Sequence, residues 1–254
     1  MPESQVFLDT YLREIGVHTP VSLFTSEAEK TTPSSMGSSM SSMGSDSIDL
    51  AKGQRQSLTQ SLKSIESDPI DALNKLSNDA ATCRLCALAE GRTQVVFGVG
   101  NAQADVLFIG EAAGRDEDIK GEPFVGASGQ LLDRMLHAIG LDRAQVYLLN
   151  TVKCHPPNNR DPQPDEVQAC NHWLEQQLAI VQPKIICLLG RVAAQTLLQT
   201  DAPLASLRGH WHDYQGIPVR VTYHPAYLLR SPRQKNKSWQ DLGQLSQRLQ
   251  TLQS

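Results

Sequence analysis

From about residue 68 onward the chain alternates between two kinds of apolar run. Four are short and almost continuously apolar: Val106-Leu107-Phe108-Ile109, Val146-Tyr147-Leu148-Leu149, Ile185-Ile186-Cys187-Leu188-Leu189 and Val219-Arg220-Val221-Thr222. Runs of that length and composition predict strands. Residues 128–139, 165–181, 191–199 and 238–252 instead space their apolar side chains along one helical face. A further helix is expected to open at Asp68-Pro69 and run to about residue 82. Continuously apolar strands between amphipathic helices predict an α/β fold. The expectation is a three-layer α/β/α sandwich around a central, mostly parallel four-stranded sheet. Ligands of such sheets bind beyond the carboxyl ends of the strands. Here the strands run into Gly110-Glu111-Ala112-Ala113-Gly114, residues 150–160, Gly190-Arg191 and His224-Pro225-Ala226. Four loops converging on one rim would make the site.

The first 67 residues read differently. Residues 1–24 contain a short amphipathic helix, with apolar side chains at 7, 8, 11, 12 and 15 and Gly16 as its stop. A packing helix and a peptide that docks on a protein partner both fit. Docking is preferred, because a low-complexity linker over 25–67 separates the helix from the rest. That linker is rich in Ser, Thr, Gly and Met and has too few large apolar residues to fold, so a disordered N-terminal extension is expected. Residues 68–254 would form one folded domain.

Charge changes this picture little. Net charge is -4; residues 1–80 hold 11 acidic and 6 basic side chains, and residues 81–254 hold 16 and 17. Any basic footprint for nucleic acid must be local. No apolar run approaches the roughly 20 residues that span a bilayer, and no leader pattern opens the chain, so a cytoplasmic protein without a membrane partner is expected. In that compartment thiols stay reduced. The five cysteines then read as Cys187, buried in a strand, and four candidate metal ligands: Cys83, Cys86, Cys154 and Cys170. The first two sit three apart and can serve one metal from one turn. The other two would pin a distant loop and helix to it.

Other motifs admit two readings each. The glycines of the 110–114 loop leave backbone N–H groups open to an oxygen of a ligand, and a strand-to-loop turn needs glycine in any case. Asp116-Glu117-Asp118 could bind a metal; a solvated turn is preferred. Phe124, between glycines, suits core packing or a stacking platform for a base. Asn150 ends an apolar strand, where its amide could brace a loop or read the edge of a planar ligand. His224 ends another, beside a rigid proline, and is a candidate donor. Leu228 and Leu229, followed by Arg230, Arg233, Lys235 and Lys237, suit an apolar wedge beside phosphate contacts or an ordinary helix with a basic end.

Across residues 80–250 these motifs resemble the family 4 uracil-DNA glycosylases, the iron–sulfur branch of their superfamily. The resemblance rests on Cys83-x-x-Cys86, Gly-Glu-Ala-x-Gly at 110–114, Gly121-x-Pro-Phe-Val-Gly126, Gly129-Gln-Leu-Leu132, Asn150-x-x-Lys-Cys154, Asn159-Arg160, Cys170 and His224-Pro-Ala226. It implies a [4Fe–4S] cluster on Cys83, Cys86, Cys154 and Cys170; spacing alone leaves zinc open. It implies excision of uracil from single- or double-stranded DNA by a monomer after base flipping. Phe124 would stack on uracil, Asn150 would read N3–H and O4, and His224 would bond O2. Backbone at Glu111 and Ala112 would line the pocket, Glu117 would crowd C5, and Asn159 would position water. Two points depart from stronger or more typical sites. Ala113 stands where the family usually has Pro, and Ala112 stands where other families of the superfamily carry an Asp base. A glycosylase for another deaminated base and a non-catalytic iron–sulfur DNA-binding or scaffold protein are the competing readings.

Overall fold

The structure, a computed structural model, describes residues 68–253 together with Arg13. The expected N-terminal helix and linker lie outside the described residues.

The chain opens with α1 (Pro69–Ala81), capped by Asp68, whose carboxylate accepts from the Ile70 N–H at 2.9 Å. A short α2 (Leu88–Gly91) and the two-residue β1 (Val99–Gly100) lead into β2 (Val106–Ala112). Then come α3 (Arg115–Lys120), α4 (Ala127–Ala138), β3 (Val146–Val152) and a 3-10 turn over Pro157–Asn159. The second half runs α5 (Pro164–Val181), β4 (Ile185–Leu189), α6 (Arg191–Leu198), α7 (Leu204–Leu207), β5 (Trp211–Tyr214), β6 (Ile217–Thr222), α8 (Pro225–Arg230) and α9 (Lys235–Gln253).

The sheet has six strands in the order β1-β3-β2-β4-β6-β5, not four. The four expected strands are its parallel interior, and β1 and β5 are antiparallel edges. The interior strands are mostly apolar because each face is covered; Arg220 of β6 is the buried charged exception, and it pairs with Asp241 of α9. Val106, Phe108, Leu148 and Cys187 point into one core, closed by α4 and by Leu242, Leu245 and Leu249 of α9. Leu107, Ile109, Leu149, Ile186 and Val219 point into the other, closed by Leu73 and Leu76 of α1, Leu174 and Leu178 of α5, and α6. Alternation of period 2 thus survives inside runs that look uniformly apolar.

The chain leaves β2 towards β3 on one side and places β4 on the other. Beyond the carboxyl ends of these strands lies a topological switch point. In-register pairing sets Gly110 of β2 beside Asn150 of β3, and Leu189 of β4 beside Thr222 of β6. The loops that follow therefore leave the sheet at one level.

Candidate active site

One solvent-open cleft of about 1420 Å³ lies at that edge. Glu111, Ala112, Glu117, Phe124, Asn150, Asn159 and His224 all line it. These residues come from six segments between positions 111 and 224, and only the sheet brings them together.

Phe124 and Asn150 converge because position 110 has no side chain. A Cβ there would stand 2.7 Å from Phe124 Cζ and would overlap Asn150 Oδ1. Phe124 itself is held in the left-handed region, at φ 56°. Such a conformation persists in a bulky residue only when its surroundings over-determine it. Here Gly129 lets the Phe124 carbonyl lie directly against α4, where any Cβ would collide with it. The same carbonyl accepts from Arg143, whose Nε pairs with Asp133 at 2.5 Å. Asn150 is buried, and its own carbonyl accepts from Lys153 Nζ at 2.7 Å. Burial of Lys153 pushes its amine down to about 7.

His224 caps α8: its Nδ1 accepts from the Ala226 N–H at 3.1 Å. Removal from solvent, with Arg230 nearby, pushes the imidazole down to about 4. It is therefore neutral at pH 7. With Nδ1 used as an acceptor, the ring proton sits on Nε2. The ring centroid is 6.0 Å from that of Phe124, tilted by 30°.

Asn159 closes the 3-10 turn at φ 53°, and its Oδ1 lies 2.9 Å from His155 Nε2. The turn is tied down next door, where Arg160 grips Glu166 at 2.8 and 2.6 Å. Glu166 also completes the capping box of α5. Glu117 is buried in α3 rather than solvated, against Gly114. Ala113, in the position where a proline was expected, is buried as well. Glu111 was expected to matter through its backbone alone. Its carboxyl, however, is pushed up to about 7, first by burial and then by the Asp161 carboxylate. Asp161 in turn pairs with Arg191 at 2.5 Å, joining the 3-10 turn to the loop after β4.

Cys83, Cys86, Cys154 and Cys170 line one small pocket. None forms a disulfide. Three of these sulfurs accept N–H bonds: Cys154 from Arg92 Nη1 at 3.1 Å, Cys170 from the Lys153 backbone at 3.3 Å, and Cys83 from Trp173 Nε1 at 3.4 Å. Burial raises Cys154 and pushes Cys170 up to about 11. Cys187 lies in β4 within the core, away from this group. Among the described residues no group of three or more His, Cys, Asp or Glu side chains is set to hold a metal ion. Lys153 stands between pocket and thiols: its side chain holds Asn150 and its N–H holds Cys170.

Two expectations for the segment after His224 need correcting. Leu228 is 0% exposed and packs into the core under α4 and α9, so it cannot act as a wedge. Lys235 is 7% exposed, which removes it from phosphate contact. Leu229, at 41% exposure, together with Arg230, Arg233 and Lys237, faces outward. Sequence reasoning placed Arg191 on the rim but passed over Asp161, Tyr223 and Tyr227 as cleft residues. For Tyr227 a signal existed, since it follows His224 by three positions, close to one helical turn.

The sequence profile of the uracil DNA glycosylase superfamily matches residues 97–243. A type-4 uracil-DNA glycosylase of Archaeoglobus fulgidus is 41% identical over 186 residues, which is 70% of this chain and 94% of that protein. One from Sulfurisphaera tokodaii is 42% identical over 172 residues, 64% of this chain and 78% of the other. One from Thermotoga maritima is 41% identical over 158 residues, 61% and 82% of the two chains.

Proposed function

The chain belongs to the uracil DNA glycosylase superfamily, and on that premise we propose that it is a type-4 uracil-DNA glycosylase, hydrolysing the N-glycosidic bond of uracil in DNA. The observation that carries the reading is the meeting of Phe124, Asn150 and His224 in one cleft at the switch point of the sheet. An aromatic face, a fixed amide and a neutral imidazole donor match a flipped pyrimidine with two carbonyls and an N–H. A scaffold protein has no use for that trio.

In this reading uracil enters the cleft and stacks on Phe124. The Asn150 amide accepts from N3–H and donates to O4. As the bond from N1 to C1′ breaks, its electron pair moves into the base and charge gathers on O2. The Nε2–H of His224 donates there, and a neutral imidazole keeps that donor in place without giving up its proton. Such a donor acts chiefly in the transition state and is worth about a hundredfold or more in rate. Water bonds to C1′ and releases a proton to solvent; Asn159 orients it. Glu117, packed against Gly114, guards the C5 side against thymine. Leu229, Arg230, Arg233 and Lys237 would face the DNA.

A [4Fe–4S] cluster would sit on Cys83, Cys86, Cys154 and Cys170. Four thiols lining one pocket are a donor set that suits an iron–sulfur cluster. N–H donors on three of the sulfurs are the partners that thiolate ligands keep. Burial by itself would leave Cys170 protonated, and a bound cationic group reverses that. Its contribution would be structural, clamping the Asn150–Cys154 segment to α5. We take the enzyme to be a cytoplasmic monomer, with a protein partner for its N-terminal segment. Among the described residues no helix is long and apolar enough to cross a membrane.

Purified protein incubated with an oligonucleotide containing one uracil should leave an abasic site, cleavable by alkali. His224→Ala should slow this by about a hundredfold or more. Parent-rate cleavage by both His224→Ala and Asn150→Asp would overturn the pocket assignment, and hypoxanthine in place of uracil tests the neighbouring activity. Anaerobic protein should carry iron and sulfide, lost in Cys154→Ala and kept in Cys187→Ala; stoichiometric zinc without sulfide would reject the cluster.

A further inference from the structure

Beside the pocket for the extracted base lies a second aromatic surface. Tyr227 lines the same cleft as His224 and is 37% exposed. Its ring rests on Tyr223, with centroids 5.0 Å apart and a tilt of 31°. Tyr223 is backed in turn by the Arg208 guanidinium, 4.2 Å from the ring centroid. Arg208 cannot swing away. Its Nε donates to the buried Asp241 at 2.8 Å, and its Nη2 donates to the Lys237 carbonyl at 2.8 Å. Tyr223 thus packs against both a cation and a second tyrosine, and the ring of Tyr227 is left partly open. Arg230, three positions after Tyr227 on α8 and exposed, lines the same cleft.

We propose that Tyr227 is a stacking platform for the nucleobase next to the extracted one, with Arg230 meeting the phosphate between them. The proposal rests on the uracil-excision reading and adds to it a neighbouring-nucleotide subsite. The phase of α8 is the reason. Leu228 points into the core, so the side chains that α8 turns towards the cleft are the small Ala226 and the two long ones, Tyr227 and Arg230. Extraction of one base exposes a face of its neighbour, and an aromatic ring replaces the lost stacking for any base. The guanidinium behind Tyr223 holds the pair rigid and adds cation–π attraction. In duplex DNA the neighbour keeps its partner strand, so the platform matters most on single strands. Selectivity for the neighbour's identity is not expected, because every base has a π-face.

The test uses single-stranded oligonucleotides in which the target is 2′-fluoro-2′-deoxyuridine, which resists excision, so that binding is read directly. One neighbour is 2-aminopurine, placed on the 5′ or the 3′ side, or an abasic spacer. The parent should quench 2-aminopurine on one side and bind the spacer substrate about tenfold more weakly. Tyr227→Ala should abolish both the quenching and the tenfold preference, while Tyr227→Phe keeps both. Melting curves show whether Tyr227→Ala folds; if it does not, the parent's spacer comparison and Tyr227→Phe decide. Equal affinity of the parent for spacer and base on both sides would overturn the proposal. So would an equal loss by Tyr227→Ala on both substrates. Parallel excision assays with ordinary uracil keep the two readings apart. A parent that excises uracil yet shows no neighbour effect rejects only the platform. A parent that shows the neighbour effect without excision rejects only the enzymatic reading.

Discussion

Gly110→Ala tests the site through a position that touches no substrate. The backbone there needs no left-handed conformation, so alanine is compatible with the strand itself. The added methyl is not compatible with its neighbours. It would lie 2.7 Å from Phe124 Cζ, against an ordinary separation of about 3.5–4.0 Å for carbon atoms. Asn150 Oδ1 lies closer still. Ring and amide must each withdraw by about 1 Å. Phe124 cannot do so freely, because Gly129 and Arg143 hold its backbone. A misplacement of about 1 Å in a positioning group costs roughly a hundredfold in rate, or about 2.7 kcal/mol of barrier. Overpacking should cost about 1–3 kcal/mol of stability as well. Single-turnover excision of uracil, set beside thermal melting, separates the two effects. Gly91→Ala, where no atom lies within 4 Å of the new methyl, is the control and should match the parent in excision. A folded Gly110→Ala that excises uracil at the parent rate would refute the claim that Phe124 and Asn150 hold the base.

Three further outcomes are expected. Glu111 is pushed up to about 7 from the ordinary 4.5, so the stability it confers is full below about 4.5 and is lost as pH rises to about 7. Glu111→Gln should therefore gain melting temperature relative to the parent between pH 5 and 8, and parallel profiles would contradict this; His224 titrates in both proteins and cancels. Gly243 sits inside α9 with open space around it, and Gly243→Ala should stabilise by about 0.5–1 kcal/mol in denaturant unfolding, with a loss of stability as the opposing result. Neutralising Arg233 and Lys237 together should lower the slope of log affinity against log salt by roughly two units for any sequence; an unchanged slope would move the DNA path off this face.

Much of the architecture was written in the chain, and the reason is burial. β2, β3, β4 and β6 lie inside the sheet with helices on both faces, so each is mostly apolar. β1 and β5 carried no such signal. β1 is two residues ending in glycine, and β5 is Trp-His-Asp-Tyr with no buried residue. An edge strand is defined by its partner rather than by its own composition. The candidate site was legible for a related reason: its residues end strands or punctuate loops with Gly, Pro and Asn, where chemistry and turn geometry leave marks.

Tertiary structure alone decided the rest. Nothing local told which side of α8 faces the core; packing beneath α4 and α9 buried Leu228 and left Tyr227 open. A lysine reads as a surface residue, yet Lys153 and Lys235 are both buried. The left-handed turn at Phe124 exists because Gly129, five residues on, admits its carbonyl. The weakened acidity of Glu111 comes first from its burial and then from Asp161, fifty positions away. A sequence can specify which side chains avoid water and where the chain must bend. Which polar groups become neighbours, and so what their protons do, depends on distances that only the packed sheet and helices set.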